Sequence, residues 1–208
     1  RAKGPNLAGV LTRLGVDLPV DGALLSDFNA DLSFDYDAGL FSAPRVDASI
    51  GKTRFSAPIQ AIVSPSGRMT FETLEAARLT DPSLNRWLQG MALGLPSDPE
   101  VFGATRVQTS VSGSVAPDGV LTLRASDTTA SIGSQSLTFD RMLVTAGDGF
   151  FAGATMEGLS ANVPSLRRVL ATFDAVPAGI AEDVLGPMSV SGDLRFSDSD
   201  VAVSQALV

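Results

Sequence analysis

The chain has 208 residues, 44% of them apolar, with 15 Lys and Arg against 23 Asp and Glu for a net charge of −8, and it contains neither Cys nor His. Those two gaps exclude a disulfide framework, a thiol nucleophile, structural zinc of the usual kind and Ser-His-Asp catalysis. A pI near 4.4 without a basic run argues against nucleic acid or an anionic membrane surface as an electrostatic partner, because both need Lys and Arg to displace counterions.

The chain repeats itself. Pro5-Asn-Leu-Ala-Gly-Val-Leu11 aligns with Pro82-Ser-Leu-Asn-Arg-Trp-Leu88 and Pro164-Ser-Leu-Arg-Arg-Val-Leu170, at spacings of 82 − 5 = 77 and 164 − 82 = 82 residues. Three units are expected, 1–81, 82–163 and a shorter 164–208. In each, apolar residues fall at i, i+3, i+4 and i+7, as Leu7, Val10, Leu11 and Leu14; Leu84, Trp87, Leu88 and Met91; and Leu166, Val169, Leu170 and Phe173. That is the stripe of a short amphipathic helix, with Trp87 and Met91 read as core. Pro followed by Asn or Ser opens it, Asp81 is available as a cap in the second unit, and Leu18-Pro19, Leu95-Pro96 and Val176-Pro177 mark its stop.

The period then changes to two. Phe28, Ala30, Leu32, Phe34 and Tyr36 alternate with polar residues, as do Val107, Thr109, Val111, Gly113 and Val115, and Met188, Val190, Gly192, Leu194 and Phe196. Each run predicts a strand with one apolar and one wet face. Turns are expected at Asp37-Ala-Gly39, Pro117-Asp-Gly119 and Asp198-Ser-Asp200, leading into second strands that end in Ala48-Ser-Ile-Gly51 and Ala130-Ser-Ile-Gly133. Third strands follow near Thr53 to Ser56 and Ser136 to Asp140, and further ones at Arg68 to Leu74 and Phe150 to Met156. The predicted fold is therefore α+β, built from repeated units of one short helix plus about four or five antiparallel strands in an elongated, curved β-sheet array. The opening without Met, and the alternating run that breaks off at Val208, read as a piece of a longer protein.

Three motifs invite chemistry and are better explained without it. Ser49-Ile-Gly-Lys52 matches a Ser-x-x-Lys dyad, but it falls on a hairpin turn and the second unit has Ser131-Ile-Gly-Ser134. Gly147-Asp-Gly-Phe-Phe-Ala-Gly153 misses a dinucleotide loop by one residue and reads as a turn between strands. Asp31, Asp35, Asp37 and Asp47 lack the spacing of an EF-hand and read as a solvated face. The 13 Arg against 2 Lys are scattered, and Arg167-Arg168 falls on a helix surface, open to solvent or to a partner.

The repeated Pro-[Asn/Ser]-Leu-x-x-φ-Leu helix, the Leu-Pro stop, the Ser/Gly/Asp-rich strand Met188-Ser-Val-Ser-Gly-Asp-Leu194 and the Asp-Gly-Val-Leu-Thr-Leu turn at 118–123 together resemble the repetitive periplasmic region of AsmA-like proteins, over nearly the whole chain. The resemblance implies a non-enzymatic segment of an envelope protein, held to the inner membrane of a Gram-negative bacterium by a helix outside this sequence. It implies a role in outer-membrane assembly or in phospholipid passage between membranes, with phospholipid acyl chains and other envelope proteins as partners and no cofactor. The groove candidates are then Phe28, Leu32, Phe34, Tyr36, Val107, Val111, Val115, Met188, Val190, Leu194 and Phe196. The alternative is a structural spacer or adhesin-like stalk whose apolar strand faces close into cores.

Overall fold

The computed structural model describes residues 2–13, 22–90, 98–147, 150–181, 184–196 and 201–207. The protein is mostly antiparallel β-sheet, with three short α-helices among the described residues. The strands are β1 (Ala2–Asn6), β2 (Ser26–Asp37), β3 (Leu40–Ile50), β4 (Thr53–Ser56), β5 (Ile59–Val63), β6 (Met69–Thr73), β7 (Ala77–Asp81), β8 (Thr105–Val115), β9 (Leu121–Ile132), β10 (Gln135–Gly147), β11 (Phe150–Val163), β12 (Met188–Phe196) and β13 (Val201–Leu207). Helix α1 (Leu7–Arg13) precedes β2, α2 (Leu84–Gly90) lies between β7 and β8, and α3 (Leu166–Thr172) between β11 and β12.

All strands join one sheet, in the order β1, β2, β3, β4, β7, β8, β9, β10, β11, β12, β13, with β5 between β3 and β6, and β6 beside β8. Strands β4 and β5 both pair with β3, at Asp47 to Ile50 and at Leu40 to Ala43 respectively. Strands β6 and β7 both pair with β8. Each pair is therefore one sheet position interrupted in the middle, at Ala57-Pro58 and at Leu74 to Ala76. Proline supplies no N–H to the ladder, which accounts for the first break. Counted this way, four strand positions lie between α1 and α2 and four between α2 and α3.

The register separates the two faces. On one face the residues Ala30, Ala48, Phe55, Leu79, Val107, Ala130, Leu137, Ala161 and Val190 stand side by side on nine successive strands. Nearer the other end, Tyr36, Phe41, Ala61, Phe71, Gly113, Leu123, Val144 and Ala154 form a second such row. On the opposite face the row is Asn29, Ser49, Arg54, Thr80, Arg106, Ser131, Ser136, Asn162 and Ser189. Since successive side chains on a strand point to opposite faces, a period of two held on every strand yields a sheet that is apolar on one side and hydroxylated and charged on the other. Leu40 and Ile62, cross-strand partners, are exposed exceptions on the polar side.

Irregularities do not scramble this division. Shifts of one residue occur between β8 and β9 at Gln108/Ser110 and between β11 and β12 at Met156/Leu159, whereas β9, β10 and β11 stay in step with one another across this stretch and slip only near the β10–β11 turn, at Thr145/Ala146. Three adjacent strands therefore each carry one extra residue, marked by the positive φ of Asp127 and Gly158. The apolar face resumes beyond it at Ala125, Met142 and Met156.

The helices line the rim where β2, β8 and β12 begin. The stripe Leu166, Val169, Leu170, Phe173 predicted a helix reaching Phe173, but α3 ends one residue earlier. Phe173 is its C-cap, Asp174 has φ 53°, and the Ala175 N–H closes back on the Leu170 carbonyl at 2.9 Å. Pro5 lies in β1 and not in the first turn of α1, which starts at Leu7. Leu14, Met91, the stops at 18–19 and 95–96, and the turn at 198–200 lie outside the described residues. No residue of α2 or α3 is buried, so these helices cover the rim and not the sheet. The small core consists of Leu24 and Leu25 in a 3-10 turn, Val101 after α2, and Phe139, Leu159 and several alanines within the sheet. Among the described residues no large side chain is fully buried.

Candidate functional site

The groove candidates share one face. Phe28, Leu32, Phe34 and Tyr36 alternate along β2; Val107, Val111 and Val115 along β8; Met188, Val190 and Leu194 along β12. Phe196 takes the same face by its register opposite Ala154, though its side chain is outside the described residues. None of the described ten is buried. Leu32, Phe34 and Tyr36 are 40%, 59% and 68% exposed, rising toward the hairpin that joins β2 to β3, and Phe34 stacks on Phe41 of β3 with ring centroids 5.4 Å apart. Phe55, at 37% exposure, continues this surface inward. Water-exposed aromatic and branched side chains on neighbouring strands form an apolar surface that a hydrocarbon ligand relieves, at about 25 cal/mol per Å² covered.

The rim is held by hydrogen bonds that recur at matching places. The first two N–H groups of α2, from Leu84 and Asn85, donate to the carbonyls of Gly103 and Phe102; those of α3, from Leu166 and Arg167, donate to Gly186 and Leu185. Gly51 and Gly133, in the turns after β3 and β9, donate to Asp27 and Ala104, just beside the start of β2 and β8. Asn6 Oδ1 accepts the Gly9 N–H at 2.8 Å, and Ser165 Oγ accepts the Arg168 N–H at 3.3 Å, so both act as N-caps three residues upstream.

One junction is distinct. Asp81 ends β7 and is buried, and its carboxylate accepts from Thr53 Oγ1, the Ser83 N–H at 2.6 Å, Trp87 Nε1 at 2.8 Å and Arg86 Nη2 at 3.1 Å. Burial pushes this carboxyl up, but the hydrogen bonds from Thr53, Ser83 and Trp87 and the Arg86 charge outweigh it, so its pKa lies below the usual carboxylate range. Asp81 thus caps not the helix itself but the strand-to-helix turn, bolting α2 to β4. Arg168 of α3 pairs with Asp98 at 3.3 Å and with Glu100, and Phe102 meets Phe173 edge to face at 6.2 Å. Arg167 donates to the carbonyls of Ile180 and Ala181. The two arginines left open by sequence therefore hold neighbouring loops.

The motifs set aside on sequence grounds take their places accordingly. Ser49 lies on the polar face of β3 opposite Arg54, and Lys52 in the Gly51-Lys52 turn. Asp31, Asp35 and Asp47 lie on the polar face, Asp47 paired with Arg45 at 2.8 Å. Among the described residues no group of three or more acids is placed to hold a metal ion. The turn at 148–149 lies outside the described residues.

Shallow cavities open along the sheet, missed by sequence, and two of them adjoin at β7. One, of about 360 Å³, is lined by Arg78, Thr80, Arg106, Gln108 and Ser131 together with Leu79, Val107, Ala130 and Leu137 of the apolar row; the other, of about 320 Å³, by Arg54, Ser49, Ser56, Arg78, Thr80 and the Asp47 carboxylate among others. Cross-strand register brings these arginines together from residues 24 and 28 positions apart in sequence. A periodicity reading has no access to that pairing.

The chain matches no protein-family model, no curated protein and no solved structure. Among the described residues no helix is long and apolar enough to cross a membrane.

Proposed function

We propose that the chain is a non-enzymatic segment of an AsmA-like cell-envelope protein, periplasmic and tethered to the inner membrane, whose apolar sheet face carries phospholipid acyl chains between membranes or serves outer-membrane assembly. The observation that carries this reading is the pair of unbroken apolar rows running from strand to strand across the sheet. An acyl chain in open water forfeits about 0.8 kcal/mol per CH₂, on the order of 10 kcal/mol for a chain of ordinary length, and a continuous apolar track lowers that barrier.

The repeat architecture belongs to the same proposal. Units of one helix and four strand positions, with the same helix-start and turn hydrogen bonds at corresponding places, extend such a track by addition. A spacer with closed cores would bury its large side chains, whereas Phe34, Tyr36 and Phe55 are exposed.

The test is native mass spectrometry of protein purified without detergent, with organic extraction, beside the variant Leu32→Asp/Phe34→Asp/Tyr36→Asp. These positions are open enough for the variant to fold. Phospholipid bound to the wild type and lost from the folded variant supports the reading. Lipid-free wild type, or a variant that unfolds, overturns it.

A further inference from the structure

We infer that the polar face of β4, β7 and β8 is a binding site for a ligand carrying two or more phosphate groups, held by Arg54, Arg78 and Arg106. Arg54 and Arg106 flank Thr80 on the neighbouring strands, and Arg78 lies two residues along β7 from Thr80, on the same face. With strands about 4.8 Å apart and about 6.7 Å between alternate residues, the three Cα atoms form a triangle with sides of about 8 to 10 Å. Guanidinium groups on stems of that reach can converge on one anion or grip two adjacent ones.

The charges have not been neutralised from within. Acids outnumber bases by 23 to 15, and Arg45, Arg86, Arg141 and Arg168 each pair with a carboxylate. Arg54, Arg78 and Arg106 have no hydrogen-bond or ion-pair partner among the described residues, and all three are exposed. The acids nearest in register are Asp47, which Arg45 engages, and Asp31 across from it on β2. Three like charges on adjoining strands repel one another. A phosphate relieves that repulsion, and its oxygens match the two parallel N–H bonds of a guanidinium fork.

The two cavities share Arg78 and Thr80, with Arg106 walling one and Arg54 the other. Hydroxyl and amide side chains, Ser49, Ser56, Gln108 and Ser131, add neutral hydrogen-bonding groups between the charges, and the one carboxylate that lines the cavities, Asp47, is paired with Arg45 at 2.8 Å. Three guanidinium groups whose Cα atoms are spread over about 8 to 10 Å fit a ligand with two phosphate groups better than a single small anion. The site lies on the face opposite the apolar rows, so it stands independently of the lipid reading.

Calorimetric titration of the 208-residue protein with inorganic tripolyphosphate tests the inference. Saturable binding is expected that weakens at higher salt, and Arg54→Gln, Arg78→Gln and Arg106→Gln each raise Kd roughly tenfold, the loss of one charge-assisted contact. Arg78→Lys keeps the charge and loses the fork, so it falls between. Arg68→Gln, at the far hairpin, leaves Kd unchanged. Vesicles of phosphatidylcholine with phosphatidic acid form a second arm: binding lost in Arg78→Gln places the phosphates on lipid headgroups, and tripolyphosphate binding alone places them on a soluble ligand. Binding of neither probe, or equal weakening by Arg68→Gln, overturns the inference. Circular dichroism confirms folding of each variant.

Discussion

Replacing Asp81 by Ala removes the acceptor shared by Thr53, Ser83, Trp87 and Arg86 at the point where β7 turns into α2. The half-buried Ser83 amide loses its partner, at about 2 kcal/mol for an unsatisfied donor, whereas the Trp87 indole keeps Thr53 Oγ1 as a second acceptor at 3.0 Å and loses about 1 kcal/mol. Arg86 is 35% exposed and turns to water, and the Thr53 hydroxyl rotates, so both add little. The sum is about 3 kcal/mol. For a chain of this length that lowers Tm by about 6–12 °C. Asp81→Asn keeps an acceptor for Ser83 and loses the charge, for about 1–2 kcal/mol. Trp87 is the sole tryptophan and sits in the junction, so its fluorescence reports urea unfolding directly. A cost below about 1 kcal/mol for Asp81→Ala, or an equal cost for Asn and Ala, refutes the assignment of the junction to this carboxylate.

The Asp81 carboxyl is held below its ordinary range in the folded state, so its contribution is present in full above the unfolded pKa and is lost as pH falls through the lowered folded value. The gap in urea midpoint between wild type and Asp81→Asn is therefore flat from pH 7 to 5 and shrinks below about pH 4. Gly133→Ala brings a Cβ against the Glu100 and Val101 carbonyl oxygens at a φ of 58° and costs about 2–3 kcal/mol by urea titration; Gly119→Ala, at φ 87° with open space around it, costs about 1 kcal/mol. Arg168→Ala separates α3 from Asp98 and Glu100, both at the surface, so the urea midpoint moves slightly at low salt and not at all in 1 M salt.

Period-two alternation is a local property, and it made the faces of β2, β8 and β12 legible from Phe28 to Tyr36, Val107 to Val115 and Met188 to Phe196. The pairing of strands is not local. Strand β5, Ile59 to Val63, ends in three consecutive apolar residues, and β7 is only five residues long, so neither carries a clear period. Pro58 divides one sheet position into two, which hid the four-position count. The helical stripe ran one residue too far because Phe173 continues the spacing while Asp174 takes a left-handed backbone that ends the helix. Asp81 was visible as a polar residue before a helix, but the side-chain donors that fill its carboxylate come from β4 and α2, about thirty residues apart. The triad Arg54, Arg78 and Arg106 exists only through register, and no sequence pattern reports it.

Because the chain has no Cys, single substitutions to Cys place a probe at one chosen position on either face. The central measurement is quenching of a fluorophore at Phe34→Cys, Val111→Cys and Leu194→Cys by phospholipid with a nitroxide on its acyl chain, compared with the adjacent polar-face positions Ser33→Cys, Ser112→Cys and Arg195→Cys. Strong quenching at the first three and little at the second three is the predicted result, since neighbours along a strand face opposite sides of the sheet. Equal quenching on both faces, or none on the apolar one, contradicts an acyl-chain track on this sheet.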